Sequence, residues 1–424
     1  MTTPSSNGPA TAPEESSTFL DSSYSWFRLT VCMLIATLGN VGMWSIIVVL
    51  PLIEEEFNSD RASASLPFTA IMIGFGLGNI IVGRLVDRFG IFIPMVGSIV
   101  LLVSGFFLTT LVTNIWQFAI LQGVLVGLGT GACFGPLMSD ISHWFDKRLG
   151  IAIAAAASGN YFAGTLWPLF LKNILETEGW RTAQITIALI LLVTMLPLAF
   201  LLRKKRPTLK ISLENSPTPQ NKGPRKITNL SPSTLQFLLI VAGISCCVAM
   251  SMPQVHIVAY CADLGYGIAR GAEMLSLMLA GGILSRLCSG ILADYIGGIR
   301  TLLLGSILQC IALFLYMPFD GLVSLYIVSL VFGLSQGGIV PSYAIIVREY
   351  LPAEQAGQRV GLIVFATVVG MALGGWLSGL IFDLTLSYDA AFLNGVAWNF
   401  VNIGIMTFIL LKSKDRPATP AMAV

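Results

Sequence analysis

The stretch Met274–Arg300, MLSLMLAGGILSRLCSGILADYIGGIR, sets the character of the chain: an apolar run with one arginine inside it, closed by a glycine-bounded polar loop. Arg286 lies eight residues before Asp294, where the polar loop begins. At about 1.5 Å per residue this is roughly 12 Å into a hydrocarbon core about 30 Å thick, close to the midplane. On insertion scales a central arginine costs about 2.5–3.5 kcal/mol, so it should face a cavity or a partner rather than lipid. It cannot shed its proton, and its fork of donors matches a carboxylate in two hydrogen bonds. A fixed positive charge in a membrane cavity reads as a site for an organic anion; the competing account is a structural arginine bonded to helix carbonyls. Gly282 and Gly290, one turn to either side on the same face, are expected to leave open space around the guanidinium.

Composition agrees with a membrane protein. The 424 residues are 55% hydrophobic and 11% charged, less than half the roughly 25% charge of a soluble domain. A net charge of +2, without basic residues interleaved with aromatics, gives no reason to expect nucleic acid as a partner. The seven cysteines lie in or beside apolar runs without C-x-x-C spacing, and read as small buried hydrophobes rather than zinc or redox ligands. The first twenty residues hold Ser, Thr and Pro but no Lys, Arg or apolar core, so they read as a disordered tail and not as a secretory signal.

Apolar runs bounded by charges or turn residues predict an all-α membrane protein with six spans near 27–51, 66–87, 91–112, 115–139, 149–172 and 183–202, and six more near 234–259, 272–293, 299–318, 322–347, 357–382 and 390–411. Residues 1–26 and 412–424 are then tails, and 27–202 and 234–411 two bundles. The join, 203–233, reads RKKRPTLKISLENSPTPQNKGPRKITNLSPS, a linker with a single acid, Glu214. Its basic ends suit either inside-positive anchoring, the simpler account, or lipid binding. With the N-terminus placed in the cytoplasm, nineteen Lys and Arg fall inside and four (Arg61, Lys172, Arg181, Arg270) outside, leaving Arg286 in the membrane. That bias predicts a multi-pass protein of the cell membrane with both termini cytoplasmic.

An internal repeat supports the two bundles. Gly83-Arg84-Leu85-Val86-Asp87-Arg88-Phe89-Gly90 follows the second span, and Gly290-Ile291-Leu292-Ala293-Asp294-Tyr295-Ile296-Gly297 follows the eighth. The glycines permit a tight turn, and the aspartate can accept from a helix N-terminus or a basic residue. This paired G-x-x-x-D-[R/Y]-x-G element resembles the loop signature of the major facilitator superfamily. The resemblance implies two pseudo-symmetric six-helix bundles around a central cavity, alternating access by rocking of the halves, and a conformational role for Gly83, Asp87, Arg88, Gly90, Gly290, Asp294 and Gly297.

Further stretches resemble the monocarboxylate transporter and oxalate/formate exchanger group: Asp21-Ser22-Ser23-Tyr24-Ser25-Trp26, a degenerate form of its D-G-G-W-G-W entry motif; His143-Trp144-Phe145-Asp146-Lys147-Arg148-Leu149-Gly150-Ile151-Ala152, continuing to Ala157-Ser158-Gly159; Val255-His256-Ile257-Val258-Ala259-Tyr260; and Ser387-Tyr388-Asp389-Ala390-Ala391-Phe392. The resemblance implies that Arg286 binds the substrate carboxylate. Many animal members place a proton-coupling aspartate one turn earlier, where this chain has Gly282. The oxalate exchangers use a lysine in span eleven, which here reads VGLIVFATVVGMALGGWLSGLIFD without Lys or Arg. One cavity cation argues for a monoanion, since a second buried negative charge would go unpaired.

The other candidate substrate residues are His256, Asn160, Tyr161 and Tyr343. His256, near the outer end of span seven, could serve as a gate, a substrate hydrogen bond or a proton acceptor, or pack as a satisfied core histidine. Asn160 and Tyr161 could meet Arg286 across the cavity, although each alone is more often a helix-to-helix contact. Asp140 and Glu273 count as interfacial, and read as solvated helix ends. Gly123, Gly127, Gly131 and Gly135 in span four form a smooth face for close helix contact.

The function expected is secondary transport of a small lactate- or pyruvate-like monocarboxylate, with the proton as coupling ion. The closest rival is anion exchange on the same fold, which needs no titrating residue. Drug exporters of this scaffold carry an arginine three residues before Gln-Gly in span four and a Gly-Pro in span five; here Ala119 precedes Gln122-Gly123, and span five reads AAASGNYFAGTLWP. A non-transporting receptor is the remaining membrane class. No enzyme, cofactor or metal is expected, because no phosphate-binding loop, metal cluster or nucleophile constellation is present.

Overall fold

The computed structural model describes residues 20–145, 148–204, 227–351 and 356–414. These form twelve helical rods, which we number as spans. The first six are Ser23–Glu56, Arg61–Phe89, Phe92–Leu111, Ile115–Ser142, Leu149–Thr177 and Gly179–Leu201. The second six are Pro232–Asp263, Ile268–Ile296, Gly298–Leu315, Leu322–Tyr350, Ala356–Thr385 and Tyr388–Lys412. Among the described residues eleven rods are long and apolar enough to cross a membrane; the remaining one, span five, carries Ser158, Gly159, Asn160 and Tyr161 at its middle. Most rods outrun the apolar windows because polar residues cap and extend them. Ser22, Asp60, Asn114 and Ser231 each accept a backbone N–H from the first turn of the following helix.

Most of the linker, and Asp146 and Lys147 of the span-five motif, lie outside the described residues. At the end of the linker Ile227–Thr228 pairs antiparallel with Ser413–Lys414, tying the entry of span seven to the exit of span twelve. No apolar or turn pattern in the linker predicts that pairing.

Glycine faces set the close contacts within each half. A Cβ on Gly74 would lie 2.0 Å from the Gly123 carbonyl oxygen, and one on Gly131 2.7 Å from the Asn79 nitrogen, so spans two and four touch backbone to backbone. Gly370 and Gly374 seat span eleven on Ile244 and Val248 of span seven in the same way.

The repeated loops match in backbone as well as in sequence. Gly90 (φ +76°, ψ 173°) and Gly297 (φ +84°, ψ 162°) end spans two and eight in a region open to glycine, each donating its N–H to the carbonyl four residues back at 2.9 Å. Gly83 and Gly290 both face open space. Asp87 and Arg88 are exposed; the side chain of Asp294 lies outside the described part of the chain.

At the end of the bundle where span one begins, Arg28 and Asp140 form a fully buried ion pair at 2.8 Å. Arg28 also donates to the carbonyls of Leu202 and Lys204 and lies 4.6 Å from the Trp144 ring centre. This corrects the reading of Asp140 as a solvated helix end: the pair joins spans one and four to the exit of span six. Five of the seven cysteines are buried as expected, but Cys288 is exposed and Cys310 intermediate.

Candidate functional site

Two antiparallel zippers join the halves. Spans two and eleven meet at Arg61 and Ala62 with Asp383, Gly379 with the Arg61 backbone, Phe68 with Gly375, Thr69 with the Ala372 carbonyl, and Gly76 with Phe365. Spans five and eight meet at Lys172 with Glu273, Gly164 with Leu279, and Tyr161 with Gly282 and Arg286. Both zippers start at the far end, opposite the Arg28–Asp140 pair. Thirteen residues separate Glu273 from Arg286, about 20 Å along the helix. Span one meets the second half through its far segment, Val41–Glu56. The cross-half contacts therefore run from the far end to the level of Gly76 and Arg286, closing the far end and leaving the near ends splayed. Arg286 sits at the depth where closure gives way to opening.

The surroundings of Arg286 follow from local sequence. Span ten breaks at Gly337-Gly338, and Pro341 has no N–H to return to the Gly337 carbonyl four residues earlier. That carbonyl accepts from Arg286 Nε at 3.4 Å. Gly337 can sit there because it lacks a side chain: a Cβ would lie 2.2 Å from the Gly282 oxygen and 3.0 Å from the Arg286 nitrogen. On its other side the guanidinium carbon lies 4.1 Å from the centre of the Tyr161 ring, a cation–π contact. Among the described residues no carboxylate lies within ion-pair distance of Arg286, and its two terminal nitrogens donate to none of them. The carbonyl bond is the feature a structural arginine would show; the undirected fork is the feature an anion site would show.

Gly282 departs from expectation. Its missing side chain does not leave open space, because a Cβ there would lie 2.5 Å from Tyr161 Cε1; the ring fills the gap. Gly290 does face open space.

Asn160 is turned away from Arg286. Its Oδ1 and backbone oxygen accept from Trp44 Nε1 at 2.7 and 3.0 Å, tying span five to span one. Tyr343 is buried within the second half, accepting from Asn402 Nδ2 at 2.8 Å and donating to Cys246 Sγ at 3.4 Å. His256, 1% exposed, places Nε2 2.8 Å from the Gly375 carbonyl oxygen, while Nδ1 has no partner among the described residues. Of the candidates, the structure brings together only Arg286 and Tyr161.

Glu273 is not a solvated helix end either. It pairs with Lys172 at 2.5 Å across the halves and with Arg270 at 3.0 Å, and accepts from the Tyr326 hydroxyl. Sequence reasoning also missed the cluster around Arg61, which joins Glu54, Asp263 and Tyr388. Its available signal was that acids and one arginine stand at span ends facing the same side.

Comparison with known proteins places these features in a family. The model for the Major Facilitator Superfamily matches residues 32–375 and, in a second match, 273–423. Monocarboxylate transporter 13 of Bos taurus is 26% identical over 320 residues, covering 74% of this chain and 72% of the relative. The agnestins efflux protein AgnL12 of Paecilomyces divaricatus is 22% identical over 324 residues, covering 75% and 72%. Among solved structures, a bacterial homologue of the human lysosomal transporter Spinster, inward-facing and unoccupied, superposes with a TM-score of 0.71 at 14% identity, covering 94% of this chain and 100% of that one.

Proposed function

Because the chain belongs to the major facilitator superfamily, a family of membrane transporters, we propose that it carries a small monocarboxylate of the lactate or pyruvate type across the cell membrane by alternating access, as a proton symporter. The observation that carries this reading is Arg286: one cation at the apex of the splayed region, its plane held by Tyr161 and one edge by Gly337, its fork directed at no described residue. Such a fork fits one carboxylate in two hydrogen bonds. Spans 27–202 and 234–411 are the two halves that rock, and 203–233 connects them. The bias of basic residues places both termini in the cytoplasm, so the far end faces outside and this conformation opens inward.

Anion exchange is the second reading, favoured by one observation. Gly282 has no side chain to carry a proton beside Arg286, and Tyr161 occupies the space one would need. Efflux of larger compounds is a weaker third, favoured by the likeness to an efflux protein. Uptake of labelled lactate and pyruvate into proteoliposomes under an inward proton gradient, with and without internal anion, separates them. Accumulation without internal anion supports symport. Uptake only into preloaded vesicles means exchange, and no uptake in either case removes monocarboxylates as substrates.

A further inference from the structure

Midway along span seven the chain reads Ser245-Cys246-Cys247-Val248, and the Arg286 site uses neither thiol. Cys246 is 0% and Cys247 1% exposed, and their sulfurs lie 3.6 Å apart. Cys246 Sγ donates to the Gly243 carbonyl at 3.3 Å and accepts from the Tyr343 hydroxyl at 3.4 Å. That hydroxyl also accepts from Asn402 Nδ2, so spans ten and twelve close one side of the pair. Span eleven closes another: a Cβ on Gly370 would lie 3.0 Å from Cys247 Cβ. Neither Tyr161 nor Gly337, which hold Arg286, is among these partners. Cys261 contacts a thioether instead, Met274 Sδ at 3.2 Å, which has no proton to give up.

Two thiols in contact can bond to each other, share a metal ion, or both bond to one other atom. A disulfide needs its sulfurs at about 2.05 Å with a torsion near 90°. Neighbouring residues point about 100° apart round a helix, and span seven runs unbroken from Pro232 to Asp263. Oxidation to a disulfide would have to unwind it. Structural zinc takes four ligands, and among the described residues no group of three or more His, Cys, Asp or Glu side chains stands together. Trivalent arsenic asks for less, since two sulfurs and one substituent of its own complete its pyramid and the product is uncharged. A centre bonded to both sulfurs at about 2.3 Å, the length of a zinc–sulfur bond, would span their 3.6 Å separation with an angle of about 103°. That angle is close to pyramidal.

We propose that Cys246 and Cys247 form a buried dithiol site for neutral trivalent arsenicals of the type R–As(OH)2 with a small R. Each thiol gives its proton to one arsenic-bound hydroxyl. Two As–O bonds break, two As–S bonds form, and two waters leave. Arsenic stays trivalent and neither sulfur is oxidised, so the step needs no oxidant or reductant. Burial selects a small uncharged ligand, because a charged one would lose its hydration without a partner. The exposed Cys288 can give such a ligand only one bond.

The test is thiol protection in the folded full chain, with methylarsonous acid as the probe. After incubation, excess probe is removed in the presence of glutathione, which strips arsenic from single thiols. The protein is then unfolded in iodoacetamide and its cysteines are mapped by mass spectrometry. Cys246 and Cys247 alone are expected to escape alkylation, on one peptide carrying one methylarsenic, and 2,3-dimercaptopropanol is expected to restore their alkylation. Cys246→Ser and Cys247→Ser each keep one thiol and should bind about 10²- to 10⁴-fold more weakly, because the second attachment is lost. Cys288→Ser with Cys310→Ser should bind as wild type does. Alkylation of both Cys246 and Cys247 in the treated wild type overturns the site. So does protection of a different pair, or unchanged binding by either single variant. The wild-type footprint needs no variant, so it decides the matter even where a substitution prevents folding.

Discussion

The ring of Tyr161 lies 4.1 Å from the Arg286 guanidinium carbon, bridging span five of one half to span eight of the other. It holds the plane of the guanidinium without using its donors, and the fork is directed at no described residue. A cation–π contact of this kind is worth about 0.5–2 kcal/mol. Tyr161→Phe should therefore bind substrate within about twofold of wild type, and Tyr161→Ala about 2- to 30-fold more weakly, read as the KM for uptake. Equal KM values for the two variants would remove the ring from the site.

Gly282 is small because of that ring. With its Cβ position 2.5 Å from Tyr161 Cε1, Gly282→Ala should lower stability by about 1–3 kcal/mol or turn the ring off Arg286. In Gly282→Ala/Tyr161→Ala the thermal midpoint should match that of Tyr161→Ala alone. An unrelieved loss in the double variant would show that the clash lies elsewhere.

The Arg28–Asp140 pair is a different kind of element, a buried staple within one half. Removing one partner leaves a charge uncompensated, so Arg28→Ala should cost about 3–5 kcal/mol, whereas Arg28→Met with Asp140→Leu should recover much of it. Thermal unfolding in detergent measures both. A single variant as stable as wild type would contradict the assignment.

Gly83 and Gly290 face open space in this conformation. Alanine there should leave stability unchanged or raise it by up to about 1 kcal/mol, as glycine is a poor helix former. If rocking brings the near ends together, the same substitutions should slow uptake. Unaltered uptake would place the closing surface away from these loops.

The spans and their repeat were legible because the signals are local: apolar windows separated by polar loops, and paired glycines at matching places, two of which prove to have positive φ at Gly90 and Gly297. Arg286 stood out for the same reason, as one charge in an apolar run. Its carbonyl partner left a readable trace in Pro341, four residues after Gly337. Features that depend on which helices become neighbours were not legible. Arg61 and Asp263 are 202 residues apart, and nothing in the sequence near either names the other. Asp140 and Glu273 looked like ordinary helix ends because Arg28 and Lys172, which pair with them, come from other spans. Asn160 and Tyr161 are adjacent in sequence, yet one turns to Trp44 and the other to Arg286; only the packing of span five decides which.

The central claim is that Arg286 binds the carboxylate of the cargo. Its most direct test is uptake of labelled lactate and pyruvate into proteoliposomes containing wild type, Arg286→Lys or Arg286→Ala, with yield and thermal midpoint measured on the same preparations. The account predicts uptake at the protein-free background for both variants while yield and midpoint stay at wild-type values. Wild-type uptake by Arg286→Ala would contradict it, leaving Arg286 a structural arginine held by Gly337 and Tyr161.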